Sequence, residues 1–220
     1  MKFVILKILT PIFRGFNMTK DDANYLDSWM SSRRIETLVD GIFAISMTLL
    51  VLSIGLPTIS GSVSEAAFQQ HLATLAPKIG IYALSFWILS SIWRVNHQQF
   101  FFIKKINSTL ISINIFWLLF VALLPFSTSV IGNYGQYYTA NVIFNVNMLL
   151  IGLLYSLNWY YATEKHLVDE KLDKKTIKSL KKRNLILPLL SLIAIGLSFF
   201  IYSSAAWVYL LTPILKRVIQ

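Results

Sequence analysis

Glu36 and Asp40 stand four residues apart at the head of a long apolar run, RIETLVDGIFAISMTLLVLSIG, over residues 34–55. Two carboxylates at that spacing share one face of a helix. From Gly41 to Ile54 no residue is charged, and only Ser46, Thr48 and Ser53 carry polar side-chain atoms. Ile45, Thr48, Leu49 and Leu52 recur at i, i+3, i+4 and i+7, which makes one continuous stripe. Bare apolar side chains in such a stripe can close a water path by dewetting. A hydroxyl in its middle, repeated around a symmetry axis, can replace part of a cation's hydration shell. Acids at the mouth would concentrate cations. The chemistry these residues suit is the passage of an ion along a helix. The competing reading of the stripe is ordinary packing or a lipid-facing surface.

Bond-making chemistry has little support. His71, His97 and His166 are scattered over a loop, a helix end and a charged loop. There is no HExxH, no paired-carboxylate set across helices, no glycine-rich phosphate loop and no cysteine. Neither enzyme nor cofactor is expected. His97, beside Arg94 and Asn96, reads as an interfacial polar cluster or as a support for the first helix, and no second ligand stands at metal spacing. Asp40 reads either as a carboxylate solvated at the interface or as an acid paired with another helix; ionisable groups inside spans default to a functional role. Arg34 lies six residues earlier and points to a different face, so each needs its own partner. Trp93, Arg94, Asn96, His97 and Asn114 are candidates at comparable depth. Gly41 would let another backbone come close.

The elements that must position these residues are membrane helices. The 220 residues have a mean hydropathy of +0.61 and only 14% charged residues, which indicates one polytopic all-α membrane domain. The formal net charge of +10 sits in membrane-flanking loops, a pattern that excludes nucleic acid as the partner. The first residues, MKFVILKILTPIF, are broken by Lys7 and Pro11 and read as a leader lying at the membrane surface. Residues 1–33 form a cytosolic N-terminal segment and 34–217 the membrane domain. Its helices are expected at about 35–55, 77–97, 108–131, 138–162, 184–202 and 205–215, with 58–76 a loop and 163–183 a charged, helix-prone cytosolic loop. Pro125 should kink or end the third helix.

Lys and Arg then fall on one side. Six lie before the first helix, three in the second loop, eight in the fourth and two at the C-terminus, and only Lys78 lies at the opposite end of a helix. This alternation predicts six spans with both termini in the cytoplasm. A secondary transporter or proton pathway is the alternative, and it should show paired broken helices or several mid-membrane acids. Only Pro125 interrupts a span. A non-conducting scaffold is the third reading.

Arg34-Ile-Glu-Thr-Leu-Val-Asp40, followed by GIFAISMTLLVL, resembles the RxxxFSD signature that opens the first helix of the transmembrane protein 175 family. Those are endolysosomal potassium channels and their bacterial and archaeal relatives. The spacing of Arg34 and Asp40 is kept, while Leu38 and Val39 stand where the family usually has Phe and Ser. Trp93 with His97-Gln-Gln-Phe100, and Asn114-x-x-Trp117 leading to Leu124-Pro-Phe-Ser-Thr128, agree as well. The resemblance runs over about residues 34–215. It implies a potassium channel with the first helix lining the pore, Ile45, Leu49 and Leu52 as an apolar constriction, and Thr48 as a hydroxyl layer near which a potassium ion sits. It implies that Arg34 and Asp40 bond to neighbouring helices, with Trp93, His97 and Asn114 as partners. One copy of the repeat resembles the prokaryotic type, a homotetramer in the cell membrane. The chain lacks the glycine-rich carbonyl filter of ordinary potassium channels, so the fold should differ from theirs.

Overall fold

The computed structural model describes residues 32–55 and 64–218. The surface-lying leader expected over residues 1–13 falls outside them. Helix α1 spans Ser32–Leu49 and continues as a 3-10 turn, Leu50–Ser53. Next come α2 (Glu65–Ala73), α3 (Ala76–Phe102), α4 (Ser108–Ala122) and α5 (Leu124–Tyr134). Then follow α6 (Tyr138–Glu164), α7 (Lys174–Asn184) and α8 (Ile186–Leu197). A 3-10 helix, Tyr202–Leu211, leads into α9, Thr212–Val218. Among the described residues the chain is all-helical, and its β pairing is a single isolated bridge, Ile103 to Val168. Among the described residues four helical runs are long and apolar enough to cross a bilayer: Arg34–Ser53, Glu65–Phe102, Ser108–Tyr134 and Tyr138–Glu164.

Local chemistry explains the breaks. Asn107 starts α4 by accepting from the Leu110 N–H at 2.9 Å. The helix stops at Leu123 because Pro125 has no N–H to continue it, and α5 begins there with the proline in its first turn. Part of the segment expected as a loop over 58–76 is helix α2 instead. Ser64 caps it by accepting from Ala67 N–H at 3.3 Å. The charged stretch after α6 folds into α7, capped by Asp173, which accepts from Thr176 N–H at 2.9 Å. The hydrogen bonds from Thr176 hold the Asp173 carboxyl below the ordinary carboxylate range. Regular α-helix in the fifth expected span is shorter than 184–202, ending at Leu197. The sixth is mostly 3-10 helix, and Pro213 opens α9 rather than breaking it.

The bundle is built around α6, which packs on α4, α5, α8 and the 3-10 helix 202–211. Trp117, Phe144, Trp159 and Tyr209 are fully buried in it. Polar side chains inside the bundle pair across helices, as they must where no water competes. Asn158 Nδ2 donates to Asn114 Oδ1 at 2.7 Å, Asn147 Nδ2 to Ser127 Oγ at 3.1 Å, and Tyr209 OH to Asn145 Oδ1 at 2.9 Å. At one end the loops lock together: Lys104 and Lys105 N–H both donate to Leu167 O, and Asp169 N–H donates to Phe102 O.

Where α6 meets α8, Gly152 lies against Pro188. A Cβ there would stand 2.7 Å from Pro188 Cδ and 3.0 Å from both its Cγ and its nitrogen. The proline ring cannot swing away. Gly152→Ala should therefore destabilise the bundle by about 1–3 kcal/mol, read as a lower melting temperature in detergent. An unchanged melting temperature would mean that α6 and α8 are not in this contact.

Candidate functional site

Two faces of α1 differ sharply. Ile35, Val39, Phe43, Ser46, Leu50 and Ser53 are buried, at a spacing of three or four. This face packs against α3 and α4, and the 3-10 turn packs against α5 and α3. The Phe43 and Trp117 rings meet with centroids 5.4 Å apart. The other face has no cover within the chain. Ile45 is 59% exposed, Leu49 43% and Leu52 72%, and Thr48 lies exposed among them. These are the four residues of the stripe read from the sequence. The switch to 3-10 geometry after Leu49 tightens the stripe, because side chains three apart eclipse in a 3-10 helix. Leu52 therefore comes nearly in line with Leu49.

Thr48 Oγ1 donates its hydrogen to Ile45 O at 2.8 Å. That bond commits the proton to the helix and leaves the oxygen lone pairs facing outward. An oxygen presented this way can accept a hydrogen bond or face a cation, and has no proton left for an anion. No charged side chain shares this level of the helix, since Gly41–Ile54 contains none. Among the described residues no three His, Asp or Glu side chains gather into a metal-binding set.

The carboxylates at the head of α1 both reach α3. Trp93 Nε1–H donates to Asp40 Oδ1 at 2.8 Å. His97 Nδ1 lies 3.1 Å from Glu36 Oε1. The indole and imidazole stack with centroids 5.9 Å apart, so one patch of α3 holds both acids. Of the partners expected for Arg34 and Asp40, Trp93 meets Asp40, His97 meets Glu36 instead, and Asn114 turns into the bundle toward Asn158. Arg34 is exposed at the start of α1. Asp40 also borders a groove of about 680 Å³ between α1 and α3, lined by Ala44, Met47, Trp87, Ser90 and Arg94. Asn158 and Asn145 are not among the residues singled out by the motifs in the sequence. The available signal was their type: an asparagine inside an apolar span requires a partner.

Residues 34–125 match the model of a family described as the endosomal/lysosomal potassium channel TMEM175. This part of the chain is similar to the TMEM175 family. A potassium channel of Streptomyces collinus is 27% identical over 173 residues, covering 76% of this chain and 82% of that protein. The endosomal/lysosomal proton channel TMEM175 of Danio rerio is 23% identical over 181 residues, which are 80% of this chain and 34% of that longer protein. The crystal structure of a lysosomal potassium-selective channel TMEM175 homolog from Chamaesiphon minutus superposes with a TM-score of 0.69 at 24% identity, covering 85% of this chain and 96% of that one. The TMEM175 fold is thus the fold of this chain.

The Asp40–Trp93 bond makes a direct prediction. Trp93→Phe keeps an aromatic ring beside His97 and removes only the N–H donor. It should lower stability by about 1 kcal/mol, discounted from a buried charged bond because Asp40 is exposed. A double-mutant cycle with Asp40→Asn, followed by detergent melting, checks this. Additive losses would show that the two side chains do not interact.

Proposed function

We propose that this protein is a potassium channel of the prokaryotic TMEM175 type, with α1 lining the pore in a homotetramer. The observation that carries the assignment of the pore is the uncovered stripe of α1. A helix anchored on one face by a complete apolar row leaves the opposite face bare, uncharged, and furnished with one outward-facing hydroxyl oxygen. Four such faces around an axis would make a narrow apolar passage with a ring of Thr48 oxygens. Ile45, Leu49 and Leu52 would be the constriction and gate by dewetting. Thr48 would supply the oxygens that substitute for lost hydration water. Asp40 and Glu36, with Arg34, would form the cytosolic mouth, where the Trp93 and His97 contacts set the angle of α1.

Six spans with both termini in the cytoplasm are part of this proposal. The short last segment reaches far enough because of its geometry: a 3-10 helix rises about 2.0 Å per residue, so 202–211 followed by α9 covers roughly one hydrocarbon thickness. The distribution of Lys and Arg supports the orientation. The match to the family model, and the similarity to bacterial relatives named as potassium channels, support a prokaryotic cell membrane as the location.

The vertebrate relatives named as proton channels raise a second reading, proton passage. A carboxylate relay is poorly supplied here. Between Asp40 and Glu164 the sequence contains one acid, Glu65, which begins the exposed helix α2.

Purified protein in a planar bilayer, with potassium on one side and sodium on the other, should give a reversal potential displaced toward the potassium equilibrium value. Zero displacement with measurable current would exclude selectivity. Leu49→Asn should wet the constriction and raise the current several-fold. Identical currents from wild type, Leu49→Asn and Ile45→Asn would remove these residues from the pore.

A further inference from the structure

Between α3, α6 and the α7–α8 junction lies a cavity of about 30 Å³, which shares Trp87 and Ser91 with the groove beside α1. Its lining includes Tyr155, Arg183 and Asn184 together with the apolar side chains of Ile88, Ile92 and Leu187. Two polar atoms of this cluster, Arg183 Nε and Asn184 Nδ2, are shut off from solvent and have no hydrogen-bond partner, and a third, the Tyr155 hydroxyl, is buried beside Gln99 without a hydrogen bond of good geometry. Asn184 is 3% exposed and Tyr155 5%. The Asn184 side chain is fixed from its other end, since its Oδ1 accepts from Gln99 Nε2 at 3.0 Å. Among the described residues no carboxylate lies within ion-pair distance of Arg183.

Buried polar groups are ordinarily bonded, and a cluster of unbonded ones around one cavity indicates something that fits between them. The donor set defines what fits. A guanidinium Nε–H and an amide N–H are obligate donors, and a phenol donates where an acceptor is offered. One of the three groups belongs to a half-buried cation that no carboxylate among the described residues pairs with, and the apolar side chains around its buried Nε lower the local dielectric. A ligand with acceptor capacity and negative charge answers all of these requirements. A water molecule answers only the hydrogen bonds. Size narrows the class further, since one water needs roughly 10–15 Å³ of such space. The cavity takes a single compact ion and is too small for a phosphate-bearing headgroup.

We propose that this cavity binds a small monovalent anion, chloride in the cell, held by Arg183, Asn184 and Tyr155. Bound there, the anion would tie the end of the basic helix α7 to α3 and α6. The site is independent of the conduction reading.

The test uses full-length protein crystallised in potassium bromide. A bromide anomalous peak in the cavity, within bonding distance of Arg183 Nε and Asn184 Nδ2, is the expected result. Water-like density there with no anomalous signal, or anomalous peaks only elsewhere, would overturn the proposal. In detergent, the melting temperature in potassium chloride should exceed that in potassium gluconate and rise with the logarithm of chloride concentration. Tyr155→Phe should weaken this dependence and Arg183→Gln should abolish it. A chloride dependence that persists unchanged in Arg183→Gln would mark a general salt effect and overturn the site. The wild-type crystal decides the matter if a variant does not fold.

Discussion

The rotation of α1 about its own axis is set by one packed row, Ile35, Val39, Phe43 and Leu50, and by the bond from the Trp93 indole to Asp40. With 3.6 residues per turn, turning the helix by one residue moves each side chain by about 100°. A turn of that size would put Met47 or Leu49 where Thr48 now stands. The apolar row supplies most of the energy. The bond to Asp40 adds a directional contact at the same end of the helix as Ile35 and Val39. The functional character of the exposed stripe is therefore a consequence of what happens on the opposite face.

The bundle behind α1 has to be rigid for this to matter. It is held by side-chain shape and by a small number of polar pairs, since lipid gives apolar helices no net reason to leave it for one another. Asn114 with Asn158 joins α4 to α6, and Asn147 with Ser127 joins α6 to α5. Tyr209 reaches both Asn145 and Ser191, which binds the 3-10 helix to α6 and α8 together. Thr128 and Ser85 bond at 3.1 Å between α5 and α3. Each helix that touches α1 is thereby tied to the rest.

Much of this was legible in the sequence where physics is local. The start of α1, the break at Pro125, and the four uncovered residues follow from hydropathy, proline chemistry and helical period. The expectation that Asp40 needs a partner, with Trp93 among the candidates, follows from the cost of an acid near lipid. What was not legible depends on tertiary placement. Nothing local assigns His97 to Glu36 rather than Asp40, because both acids lie on the same face of α1 one turn apart. Residues 202–211 have ordinary apolar composition, and nothing in it distinguishes 3-10 from α geometry. Helix α2 was read as loop because its sequence, EAAFQQHLA, has no apolar face and its cap, Ser64, sits among other serines and glycines. The cavity beside Arg183 exists only because three distant segments meet.

The chain contains no cysteine, so one introduced thiol is a unique probe of where α1 faces. Leu52→Cys places it in the stripe, and Leu192→Cys places it on α8, also exposed but on a different helix. The decisive measurement is the current through purified channels before and after a membrane-impermeant, charged thiol reagent. The account predicts that Leu52→Cys loses its current on modification while Leu192→Cys and the wild type keep theirs. Full current through modified Leu52→Cys, with labelling shown by mass, would place the ion path elsewhere and return the stripe of α1 to lipid.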